Sequence, residues 1–137
     1  MRFRVYLYTV VRILFGAFLT VHSTYNVIVY SEFLNEIDTY FTRITIFKYD
    51  LVEALAPLVP FEEFVLGMFL ILGYFTRNTL ISASILFLFL SFFLLDANSI
   101  ELSILHLGFF ILTLILWKKD NYNLKSMDYS RDMYLMI

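Results

Sequence analysis

The chain contains no cysteine. Disulfides, thiolate nucleophiles, thiol exchange and cysteine-held iron–sulfur clusters are therefore excluded for this chain acting alone. Charge is also scarce: Asp, Glu, Lys and Arg make up 16% of the 137 residues, against about 25% in soluble domains. The formal net charge is -2, and no basic cluster with interleaved aromatics appears, which argues against nucleic acid as a partner. Period-two alternation is missing too, so membrane-spanning β-strands are not indicated. No internal repeat or low-complexity stretch is present.

What remains is apolar. Hydrophobic residues make up 61% of the chain and the mean hydropathy is +0.78. One 137-residue domain cannot bury that much Phe, Leu and Ile in its own core, so much of its surface must face lipid. A lipid-spanning helix needs about 20 mostly apolar residues. Four runs approach this, at residues 5–29, 61–75, 78–95 and 100–117. The expected fold class is an all-α membrane protein, a four-transmembrane-helix bundle. The first run has a basic start at Arg2 and Arg4, but it is too long for a signal-peptide core and ends without a small-residue cleavage site. It is expected to be a retained first helix.

Basic and acidic flanks alternate. Arg2 and Arg4 precede the first span, Arg77 lies between the second and third, and Lys118, Lys119, Lys125 and Arg131 follow the fourth. The first connection carries Glu32, Glu36, Asp38, Asp50 and Glu53 against Arg43 and Lys48, and the third carries Asp96 and Glu101. The positive-inside rule then places both termini in the cytoplasm and the acidic connections outside, the periplasmic face of a bacterial inner membrane. In the connection over residues 31–55, Phe33, Ile37, Tyr40, Ile44, Phe47, Leu51 and Leu55 recur at three- and four-residue steps, which predicts one or two amphipathic helices at the outer face. Pro57 and Pro60 are expected to break that helix and set up the second span. Residues 118–137 form a polar, cytoplasmic C-terminal tail, which either docks or frays.

Depth along each span brings the rare polar residues together. His22, Ser23 and Asn26 fall in the outer third of the first span, and Glu62 and Glu63 in the first turn of the second. Glu101 stands at the mouth of the fourth, with His106 about 8 Å deeper. The candidate polar pocket is His22, Asn26, Glu63 and His106, with Glu62, Glu101, Arg12 and Arg77 as secondary candidates. Glu63 shares a face with Gly67 and is the inward candidate of the glutamate pair. Both glutamates could instead be interfacial carboxylates meeting a helix N-terminus and its dipole. The histidines suit a proton relay, hydrogen bonds to a quinone, or plain interhelical bonds. No HxxxH, HxxE or ExxH pair stands on one helix, so no metal site is expected. Arg12 either snorkels to the inner surface or pairs with a polar group between helices.

In order and spacing these residues resemble the DoxX/MauE-like family of small four-helix membrane proteins. The resemblance rests on Arg12, Gly16, Ser23 and Asn26 in the first span, then Pro60, Glu63, Gly67, Gly73, Thr76 and Arg77, and covers roughly residues 8 to 117. Family members often have glycine and lysine where this chain has Ser23 and Asn26. MauE-like members often carry a cysteine-containing loop where this chain has "LLDANSIE". The resemblance implies association with membrane redox pathways, one branch being a subunit of a thiosulfate:quinone oxidoreductase. Three functions follow as expectations. The foremost is a small membrane-complex subunit or accessory protein that is not catalytic alone and contacts lipids and other membrane subunits. The second is a quinone-interacting subunit with quinone as the implied cofactor. The third is a small-solute or proton transporter, disfavoured by the lack of inverted repeats.

Overall fold

A computed structural model describes residues 1–136. It contains α1 (Arg2–Ile28), α2 (Tyr30–Arg43), α3 (Asp50–Leu55), a 3-10 turn (Ala56–Leu58), α4 (Val59–Leu72), α5 (Thr76–Asp96), α6 (Ile100–Lys118), a second 3-10 turn (Asp120–Tyr122) and α7 (Met127–Leu135). No strand occurs among the described residues. Four helical stretches are long and apolar enough to cross a membrane: Arg2–Ile28, Asp50–Leu72, Thr76–Asp96 and Ile100–Lys118.

The second of these differs from the expectation at both ends. As expected, the α-helix gives way at the prolines: α3 ends at Leu55, a 3-10 turn over Ala56–Leu58 follows, and α4 starts at Val59. Each proline sits in the first turn of its own element, where a missing N–H costs little and φ already suits a helix. The residues around them, Leu55, Ala56, Leu58 and Val59, keep right-handed helical backbone. The path therefore starts at Asp50 rather than at residue 61. It stops at Leu72 because Gly73 takes a left-handed conformation at φ 66° and caps the helix, its N–H bonding the Phe69 carbonyl.

The bundle is two antiparallel pairs, α1 with α4 and α5 with α6. In the first pair, a Cβ at Gly67 would lie 2.8 Å from the Gly16 carbonyl oxygen and 2.5 Å from Thr20 Oγ1. Only the missing side chains let the two backbones approach this closely. In the second pair, Ser91 and Ser103 exchange hydrogen bonds: each hydroxyl donates to the other residue's carbonyl, at 2.9 and 2.6 Å. Tyr8, Phe15, Leu19, Leu70, Leu80, Ala83, Phe87 and Leu116 form the shared core. Outward faces stay apolar, as at Ile85, Ile104 and Ile115, which suits a protein whose solvent is hydrocarbon.

Both termini and the 73–75 turn lie at one end of the bundle, called here the terminal end. The α1–α4 connection and the 97–99 turn lie at the far end. In that connection only Ile37 of α2 is buried, while Phe33, Leu34, Tyr40 and Phe41 are half-buried. Residues 44–49 are not helical. One Asp96 carboxylate, at the end of α5, holds this stretch, accepting the N–H groups of Thr45, Ile46 and Phe47 at 2.8–3.1 Å and the Thr45 hydroxyl at 2.9 Å. Ile44 packs beneath it with Phe93, Leu94 and Ala97.

Candidate functional site

Two buried charges mark the interior. Arg12 is 1% exposed and Glu63 is 3% exposed. Arg12 does not snorkel. It donates to Asn123 Oδ1 at 3.2 Å and to the Lys125 carbonyl at 2.9 Å, both in the tail. The tail thus docks on its own bundle. Asp128 completes the seal, accepting the Phe75 and Thr76 N–H groups at 2.7 Å each where α5 begins, as a carboxylate at a helix N-terminus does. The Asp128 N–H donates to the Gly73 carbonyl at 3.0 Å. The Arg4 guanidinium donates to the Tyr122 hydroxyl at 3.1 Å and holds that phenol below its ordinary range. Burial pushes the Asp120 carboxyl above the ordinary carboxylate range.

Glu63 lies in a different setting. His22 Nδ1 approaches its Oε2 at 3.3 Å, and the His22 side chain is 47% exposed. One hydrogen bond thus joins the imidazole to the carboxyl group. The pair stands on the wall of a cavity of about 650 Å³, lined by α1, α2, α3, α4, α5 and α6. Along α5 the lining runs from Ser82 to Leu94, about 18 Å of helix. Most of it is apolar: Phe33, Ile37, Leu51, Val52, Leu55, Ile85, Leu86, Phe89 and Phe93 are among the lining residues. Convergent polar groups in an apolar hollow of this size are the usual form of a small-molecule site.

His22, Asn26, Glu63 and His106 all line this one cavity, and Glu62 joins them from its exposed position. An aromatic chain links the two histidines. His22 stacks on Phe18 at 5.8 Å, Phe18 meets Phe109 at 5.4 Å, and Phe109 meets His106 at 5.8 Å. His106 Nδ1 lies 2.8 Å from the Leu102 carbonyl of its own helix, which can only accept, so Nδ1–H donates there. Glu101 is exposed and does not line the cavity. Arg77 lies at the terminal end, 5.7 Å from the Trp117 ring. Neither glutamate makes a side-chain cap bond to α4, but Glu62 stands in its first turn, where the helix dipole favours a carboxylate.

Sequence reasoning missed Glu36 and Tyr40, which enter the cavity from α2. The three- and four-residue spacing includes Tyr40 but marks it only as a position on the packing face of a helix. Burial, reinforced by Glu36, pushes the Tyr40 phenol above its ordinary range, so it remains a donor at neutral pH. Asp96 and Asp128 were also missed as backbone acceptors, because only the fold brings residues 45–47 to one and residues 75–76 to the other. Among the described residues no group of three His, Cys, Asp or Glu could hold a metal ion.

No protein-family model, no curated protein and no solved structure matches the chain. The class is defined by the fold itself: an all-helical protein with four helices long and apolar enough to span a membrane.

Proposed function

We propose that the chain is a small integral membrane accessory protein, working with other membrane subunits, whose far-end cavity takes up an amphipathic small molecule. The observation that carries this is the buried Glu63 carboxylate, paired with a half-exposed His22 on the wall of a mostly apolar cavity. A closed structural pair would not need an accessible hollow beside it. In this proposal both termini are cytoplasmic, because the cations gather at the terminal end. The polar face of α2, with Glu32, Glu36 and Asp38, then lies at the outer membrane surface as an amphipathic connection.

The absence of cysteine offers a clean test. Ser82→Cys places one thiol in the cavity lining, and Ile104→Cys places one on an exposed face outside it. Native-membrane lipid extract is expected to slow maleimide labelling at position 82 and leave position 104 unchanged. Equal rates at both positions, with and without extract, would defeat the proposal.

A second reading is favoured by the stacked His22–Phe18 pair. An imidazole with one edge open to the cavity beside an aromatic face suits the polar head of a quinone, and the DoxX/MauE-like resemblance points the same way. Slower labelling of Ser82→Cys by a short-chain quinone is its test, and no effect at saturating quinone would remove it.

A further inference from the structure

The charge of the lining goes further than its shape. Three carboxylates, Glu36, Glu62 and Glu63, border the cavity, whereas no Lys or Arg does. Arg43 and Lys48, on the same connection, do not reach the lining. Glu63 is the most constrained of the three. It is almost fully buried, His22 engages its Oε2, and among the described residues nothing hydrogen-bonds its Oε1. The lining thus holds three acidic side chains, and its only basic ones are the two histidines. A charge out of water demands a partner of opposite sign. Around these carboxylates the walls offer aromatic faces, including Tyr40 and Phe89, which attract a desolvated cation through their quadrupoles.

We propose that the ligand class of the far-end cavity is a lipophilic organic cation, an amine or a quaternary ammonium or phosphonium ion carrying apolar groups. This rests on the cavity being a ligand site and names what it selects. The cationic head sits against Glu63, Glu62 and Glu36, and its apolar groups lie along α5 toward Ser82. Fatty acids and anionic lipids are repelled by the same carboxylates. A neutral quinone leaves these carboxylates uncompensated.

The test uses the full chain in nanodiscs of zwitterionic lipid, with tetraphenylphosphonium as probe. Saturable binding is measured by equilibrium dialysis, with empty nanodiscs subtracted. One site per chain is expected, with oleate and decylubiquinone failing to compete. Glu63→Gln is expected to weaken binding about tenfold or more, and Glu62→Gln about threefold, since the second carboxylate is exposed and screened. Should Glu63→Gln not fold, the double variant Glu36→Gln with Glu62→Gln alters only exposed positions and is expected to show a similar loss. Wild-type binding no greater than that of empty nanodiscs overturns the cation assignment, as does binding unchanged in the carboxylate variants. If the cation fails while decylubiquinone or native lipid still protects Ser82→Cys, the cavity remains a ligand site of another class. If nothing protects Ser82→Cys, the site reading falls with it.

Discussion

Arg12 and Glu63 are both buried charges on paired helices, α1 and α4, yet the two ends of the bundle treat them differently. At the terminal end, the chain returns to cover Arg12 with Asn123 and the Lys125 carbonyl, and Asp128 pins that return to the start of α5. At the far end, the connection is pinned by Asp96 to the end of α5, but the space beneath it stays open. Glu63 keeps one half-exposed partner, His22, and a cavity. A buried charge covered by the chain's own tail, through a backbone carbonyl and an amide, is structural. A buried charge with an accessible face beside it is available for binding.

Substitutions can break this contrast or sharpen it. The largest effect is expected from Gly67→Val, which disturbs both ends. The new side chain would meet the Thr20 hydroxyl and, just behind it, the Gly16 carbonyl and the Thr20 backbone nitrogen, which cannot move aside as a side chain can. Overpacking of this kind is expected to lower stability by about 3 kcal/mol, measured as thermal unfolding in detergent. Gly108→Val serves as control and should be close to neutral, because nothing lies within 4 Å of a Cβ there.

Arg12→Leu should act on the terminal end alone. It strips the charged donor from Asn123 and Lys125, at a cost of about 2 kcal/mol. Limited proteolysis should then cut within residues 120–135, while maleimide labelling of Ser82→Cys stays unchanged. Faster labelling at position 82 would show that the ends are coupled.

Asp96→Ala is the matching change at the far end. Amide exchange at Thr45, Ile46 and Phe47 should rise by about tenfold or more, with the tail unaffected. A cavity that then labels faster at Ser82→Cys would identify the connection as its cover.

Ser103→Ala removes one half of the hydroxyl exchange between α5 and α6 and should cost about 0.6 kcal/mol, read from the same unfolding curves. The smallest effect concerns pH. Burial raises the Asp120 carboxyl pKa in the folded chain. Its contribution to tail docking is therefore fully present below the ordinary carboxylate value, about 3.9, and is lost as pH rises through the folded value. Protease protection of residues 120–135 should be slightly greater at acid pH than at neutral pH. In Asp120→Asn that dependence should flatten.

Much of this was legible along the chain, and the failures were specific. Run length and hydropathy located the four helices long and apolar enough to cross a membrane. Depth counting gathered His22, Asn26, Glu63 and His106 into one layer, because helical rise is regular enough to convert position into height. The same counting gave height and no bearing around the bundle, so it could not separate Glu101, which misses the cavity, from His106, which lines it. The prolines marked the break between α3 and α4, but not that right-handed backbone continues through it, because their effect depends on whether the N–H they lack was needed. At the first turn of a new helix it was not. Asp96 and Asp128 were invisible because each serves backbone groups about 50 residues away in sequence.

The sequence by itself determined that this chain is helical and apolar enough to span a membrane four times, and roughly how deep each polar residue lies. Periodicity and rise are local properties, written into every turn. Only the tertiary structure decided which charge would be sealed and which left beside a cavity. That depends on where a returning tail and a folded connection come to rest, and both are placed by long-range hydrogen bonds and by the close approach of α1 and α4 at Gly16 and Gly67.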